Sequence, residues 1–276
     1  MSGSSDPPPK SAAEYVAELA EDHEAHVLRR QGDELLVSVL RRRSDGRVNR
    51  YALLIDAGLP VLQVREQTPA LLPAFCPDRH INSDGSFCMG WQAADPLNVV
   101  DQASAGEWWA RLLKFLSLQE IANQLRRWPS NHEWAHGDAA AHQDRAERCA
   151  RALGPAFETA LAAKRLQVIR QRRRSGFAQL MDGKRRLYSV WITCRRVATG
   201  RQACLCGSGQ PLRSCEDHAD RAAELVFAIE ARDRAEREFW KRAAGRPCCS
   251  SLAVCPLNQA LTPSNTDAAA TSQRAA

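Results

Sequence analysis

Cys88 lies near the end of "DRHINSDGSFCMGW" (78–91). A polar, turn-forming run (Asn82, Ser83, Asp84, Gly85) stops abruptly at Phe87, Cys88, Met89 and Trp91. A cysteine at the edge of such a turn can sit in a shallow groove, open to attack. A thiol that carries an acyl group needs that access, a scaffold to hold it and a donor for the oxyanion of the tetrahedral intermediate. His80, close by in sequence, could donate to the oxyanion or take the proton of an attacking amine. Asp78, on the same side of an extended segment, would orient it. The competing reading is a buried free thiol beside a loop histidine. Cys76, in "AFCPD", has no such turn before it and is the weaker candidate.

Two other stretches carry ligand chemistry. "CLCGSGQPLRSCEDH" (204–218) resembles the SEC-C zinc motif, Cys-x-Cys-Gly-Ser-Gly, five variable residues, then Cys followed by Cys or His. The resemblance assigns Cys204, Cys206 and Cys215 as ligands of a structural zinc. It would put the fourth at 216, where Glu216 stands, so His218 is expected to substitute. A closed thiolate–imidazole set suits structural zinc, which would supply much of this small segment's folding energy. "HEWAHGDAAAH" (132–142) contains H-E-x-x-H. On a helix His132 and His136 would share a face, with Glu133 as base of a zinc protease. The zinc proteases with a third histidine turn the chain at a glycine, where this sequence has Ala139. Continued helix would rotate His142 away, which makes hydrolysis the minor reading.

Elements must position these residues. "SAAEYVAELAED" (11–22) has helical spacing, and "ELLVSVLRR" (34–42), "VNRYALLID" (48–56) and "VLQVRE" (61–66) read as strands. Asp45-Gly46 between the first two is a hairpin signal. In 106–128 an apolar stripe of Trp108, Leu112, Phe115, Leu118, Ala122 and Leu125 predicts a helix. Further helices are expected over about 133–153 and 156–174, and an amphipathic one over 219–243. The fold class is α+β.

Helix, antiparallel meander, Pro-containing segment, polar turn, cysteine, helices: this order resembles the ubiquitin-conjugating enzyme (UBC-like) fold. That family carries His-Pro-Asn-Ile, a short polar turn with Gly, then an apolar residue, the catalytic Cys and Leu. "HINSDGSFCM" keeps the Ile, the turn, the Gly three residues before Cys and an apolar residue on each side of it. The resemblance makes Cys88 the thioester-forming residue. The family's His, Pro and Asn fall on Asp78, Arg79 and His80, none retained, which resembles divergent bacterial members. It implies a thioester transferase whose partners are an activating enzyme and a ubiquitin-like protein, or a cGAS-like nucleotidyltransferase of an antiphage system. The alternative is a zinc-stabilised adaptor without transfer activity. The expected organisation is a disordered 1–10, a conjugating domain at 11–155, a helical basic connector at 156–200, the zinc knuckle with its helix at 201–243 and a disordered tail at 244–276.

The net charge is +6, much of it in 164–174 and 183–201. No pattern of stacking aromatics accompanies it, so nucleic acid is a minor expectation. The start, "MSGSSDPPPK", lacks the apolar core of a signal peptide, and no membrane span is read. A cytoplasmic location is expected, where ten cysteines read as ligands, a nucleophile or buried thiols rather than disulfides.

Overall fold

The computed structural model describes residues 10–43, 45–59, 61–129, 133–170 and 176–259. They form two compact units, 1–131 with 244–276, and 132–243. Each mixes helices with an antiparallel sheet.

The first unit opens with α1 (Ala12–Glu18), whose Ser11 and Glu14 form a capping box. A meander follows, β1 (Ala25–Gln31), β2 (Glu34–Arg42), β3 (Val48–Asp56) and β4 (Gln63–Glu66), hydrogen-bonded in that order. β2 and β3 have the bounds predicted from alternation, in unbroken register from Glu34↔Asp56 to Arg42↔Val48. β1 escaped the sequence reading because only Ala25 in it is buried; an edge strand with polar faces has no apolar alternation to detect. α2 (Gln102–Leu125) covers the sheet's apolar face. Trp109 is fully buried and its indole N–H donates to the Val16 carbonyl at 2.9 Å, which fixes α1 against α2.

α2 departs from its predicted stripe in the last turns. Leu125 is exposed and Leu118 half-buried, and Gln119, off the stripe, is completely buried along with Ala122. The reason is Arg79, 2% exposed. Its Nε donates to Gln119 Oε1 at 2.8 Å and its Nη2 to the Gln119 carbonyl at 3.1 Å. Gln119 Nε2 returns a bond to the Arg79 carbonyl at 2.5 Å. A helix facing a buried guanidinium needs an amide there, not a leucine.

Glu66, at the end of β4, is a second organiser. Its carboxylate accepts the backbone N–H groups of Ala70, Leu71 and Leu72 at 3.0–3.1 Å. These bonds shape the Pro-containing segment that leads to the cysteine loop.

The second unit contains α3 (Ala139–Leu153), α4 (Pro155–Ala162), a sheet in the order β5 (Leu166–Arg170), β6 (Phe177–Asp182), β7 (Arg185–Trp191), β8 (Arg196–Val197), and α5 (His218–Ala243). Ala178, Leu180, Tyr188 and Val190 face a core shared with α3, α4 and α5. This corrects the expected helical connector at 156–200. Its charge drew attention, but Leu166/Val168, Ala178/Leu180 and Tyr188/Val190 alternate with period two, and Asp182-Gly183 turns β6 into β7. The first boundary falls at 131/132 rather than near 155. The expected disordered tail is also corrected. Residues 244–259 return to the first unit, with Leu252, Cys255 and Leu257 buried and α6 at Pro256–Gln259. Residues 1–9 and 260–276, where disorder was expected, lie outside the described residues.

Replacing Gln119 by Ala removes the side-chain acceptor of the buried guanidinium and leaves only the backbone carbonyl at 119. Gln119→Ala is expected to lower stability by about 3 kcal/mol in urea denaturation followed by Trp fluorescence. A loss below about 0.5 kcal/mol would show that Arg79 finds water instead.

Candidate functional site

The cysteine loop is an extension of the sheet. Cys76 and Ile81 exchange backbone hydrogen bonds around a 3-10 turn, Pro77–Arg79, Ile81 bridges to Phe87, and the Phe87 N–H donates to the Val64 carbonyl of β4 at 2.8 Å. Ile81 and Phe87 are buried, and Phe87 stacks on Phe115 of α2 with centroids 4.8 Å apart. Asp78 is thus part of a 3-10 turn, not of the extended segment expected from sequence; Pro77 at its first position favours that turn.

The polar turn closes through its own side chains. Asp84 accepts from the Ser86 amide at 2.9 Å and hydroxyl at 2.7 Å, and Asn82 Nδ2 donates to Ser86 Oγ at 3.0 Å. Partial burial opposes ionisation of Asp84, yet these Ser86 bonds hold its carboxyl below the usual range. Gly85 has φ +80°, open to glycine at no steric cost.

His80 also has positive φ, 56°, and its carbonyl accepts the Cys88 N–H at 2.8 Å. Asn, Asp and His are the side chains that best tolerate this left-handed conformation. The position therefore admits few residue types for backbone reasons alone. The His80 ring packs on Trp128 at 4.8 Å, and Trp128 lies 6.2 Å from Phe115. One aromatic series thus backs both arms of the cysteine loop. The Cys88 thiol is half-buried, 3.8 Å from the Gly90 carbonyl. Burial pushes the thiol up from its ordinary range, against a smaller opposing effect of the Gly90 backbone. The loop beyond is braced by an Arg111–Asp95 ion pair beside Gly90.

In the second unit, Cys204, Cys206, Cys215 and His218 bring four ligand atoms within 4.8 Å of one another. Cys204 and Cys206 leave a tight hairpin closed by Cys204 N–H to the Gln210 carbonyl, with Gly207 and Gly209 at positive φ. Cys215 ends a 3-10 turn, Leu212–Ser214, and His218 starts α5 with Nδ1 3.1 Å from Cys204 Sγ. Glu216 is exposed and outside the group. The set has the donor types and compactness for a soft tetrahedral cation. Without one, burial raises the Cys204 thiol to about 12, while the Ser208 hydroxyl draws Cys206 down to about 6.

The H-E-x-x-H reading is corrected. His132 lies outside the described residues, and α3 begins only at Ala139, after Gly137 at positive φ, so His136 is not on the helix that the zinc-protease geometry requires. His136 instead stacks on Phe239 at 4.7 Å, and its N–H and Nδ1 both engage Glu236, at 2.8 and 2.5 Å. Burial disfavours the Glu236 carboxylate, but the His136 bonds outweigh it and hold the group below its usual range.

Residues 23–130 match the family model of the prokaryotic E2 domain. Residues 135–257 match that of a cysteine-rich domain C-terminal to the E2 domain. The two in this order are consistent with a bacterial E2-like protein. No curated protein and no solved structure matches the chain. Among the described residues, no helix is long and apolar enough to cross a membrane.

Two measurements probe these groups. Cys204→Ser/Cys206→Ser is expected to lose about one metal ion per chain in elemental analysis, whereas Glu216→Ala keeps it and His218→Cys retains it through an equivalent ligand. The Glu236 contribution to stability is present above the unfolded carboxylate pKa, about 4.3, and is lost as pH falls through its lower folded value. The thermal midpoint of Glu236→Gln is therefore expected to decline less than the parent's as pH falls below about 5. Parallel curves would show that Glu236 titrates alike in both states.

Proposed function

We propose that this protein is a bacterial conjugating enzyme of the ubiquitin type, with Cys88 as its acyl-carrying nucleophile. One observation carries the assignment. Within the stretch similar to the prokaryotic E2 domain only two thiols occur, and Cys76 is 1% exposed with its sulfur 3.1 Å from Cys249. Cys88 alone is left at the edge of a polar turn. The helix–meander–loop–helix order of the first unit supports the UBC-like fold.

In the proposed cycle an activating enzyme presents the C-terminus of a ubiquitin-like protein, or of a cGAS-like nucleotidyltransferase, as a thioester. The Cys88 thiolate attacks the carbonyl carbon, and the activating enzyme's thiolate leaves. An acceptor amine then attacks the new thioester. His80 stabilises the oxyanion; the C–S bond breaks, Cys88 leaves as thiolate, an amide forms and the amine's proton passes to a base. A role in antiphage defence fits these partners. The Cys204–Cys206–Cys215–His218 set would hold a structural zinc. The second reading, a zinc-stabilised adaptor, shares everything but the transfer.

The raised Cys88 thiol favours carrying over hydrolysis. Hydrolytic Cys–His pairs rely on a depressed thiol, whereas a more basic thiolate is a poorer leaving group and its ester resists stray attack.

The test is a non-reducing gel of the protein with an activating enzyme, modifier and ATP. Cys88→Ala should give no adduct, and Cys88→Ser a reductant-resistant ester. His80→Asn should load and discharge like the parent. His80→Gly keeps the left-handed backbone but lacks the donor, and should load yet discharge about a hundredfold more slowly. Normal discharge by His80→Gly would reduce His80 to a backbone role. An adduct persisting in Cys88→Ala, or none with any partner, would leave the adaptor reading.

A further inference from the structure

In the first unit Cys76 lies among three cysteines of the C-terminal segment, Cys248, Cys249 and Cys255. Cys249 Sγ lies 3.1 Å from Cys76 Sγ. Cys255 is within side-chain hydrogen-bonding reach of Cys248, and Cys76 senses the charge of both Cys249 and Cys255. Cys76 and Cys255 are buried, Cys248 and Cys249 half-buried. The Arg79 guanidinium is close enough to Cys76 and Cys249 to interact with them electrostatically. A positive charge beside clustered sulfurs offsets the surplus negative charge of a tetrathiolate site.

The segment bearing three of them has little else to hold it. "RPCCSSLAVCPLN" (246–258) buries only Leu252, Cys255 and Leu257 among its residues. Among the described residues its ties to the rest of the unit include one backbone bond, Ala253 N–H to the Arg126 carbonyl at 2.7 Å, and Arg246 over the Phe75 ring. Ordering a segment without helix or strand over most of its length calls for a strong tie, and a structural metal contributes several times what one disulfide does.

We infer that Cys76, Cys248, Cys249 and Cys255 form a second site for a soft divalent cation, zinc in the cell, which fastens the C-terminal segment to the base of the cysteine loop. The four sulfurs are not as closely drawn together as the Cys204 set, so binding would pull the Cys248–Cys255 pair onto the Cys76–Cys249 pair. Cys76 immediately precedes the 3-10 turn that sets His80, so the metal would brace that turn. The inference does not depend on the transfer reaction.

The full-length protein, purified with reductant, is expected to hold about two zinc ions per chain by elemental analysis. Cys249→Ser/Cys255→Ser should hold about one, as should Cys204→Ser/Cys206→Ser, and the quadruple variant none. Cys249→His should keep the second ion, because imidazole replaces thiolate as a ligand but cannot replace it in a disulfide. If the serine variants fail to fold, chelator titration of the parent should still release zinc in two steps. A parent with one zinc, released in one step, overturns the site. So does peptide mapping that finds a Cys76–Cys249 disulfide in protein retaining one metal.

Discussion

A guanidinium taken out of water must have its donors answered, and Arg79 meets that demand through one residue. Gln119 gives it two acceptors and takes back a third bond at the Arg79 carbonyl. Those bonds fix the 3-10 turn Pro77–Arg79 against α2 and so set where the chain emerges at His80. From His80 onward the loop has little freedom. Its carbonyl takes the Cys88 N–H, Ile81 bridges to Phe87, and Phe87 is hydrogen-bonded to β4. The position of the thiol therefore follows from a buried polar contact about ten residues away in sequence rather than from packing of the thiol itself.

The same geometry bears on one difference from the pattern that the cysteine stretch resembles. The conjugating-enzyme pattern has asparagine where His80 stands. Position 80 has φ 56°, a conformation in which both asparagine and histidine are enriched among non-glycine residues. Both carry a side-chain N–H. The exchange preserves a backbone requirement and a hydrogen-bond donor together, though it alters the reach of that donor and adds a ring that Trp128 supports.

How much of this was legible in the sequence follows from how local each signal is. β2, β3 and their hairpin are dictated by alternation and by Asp45-Gly46, and the Cys204–His218 set by its spacing in a short segment. β1 has one buried residue and offers no pattern. The second sheet was hidden by arginines on the exposed positions of strands whose alternate residues are buried. Gln119 breaks the stripe of α2 for a reason forty residues upstream, and Cys76 meets Cys249 across most of the chain. No window of sequence holds both members of such a pair. H-E-x-x-H failed the other way: it was local and well spaced, but the helix it required starts too late.

These contacts also constrain how the thiol can work. Burial raises Cys88, and the contact of its sulfur is with a carbonyl, that of Gly90, rather than with a cation. Such a thiol is less ionised than that of a free cysteine. On the proposed function, a loading partner would have to bring its own activation, by supplying a base or a good leaving group in place. On the proposed transfer, a thioester on this more basic sulfur would await an amine held in position rather than water. A buried thiol that merely filled space would need neither the sheet-bonded turn nor the aromatic backing that holds this one at the surface.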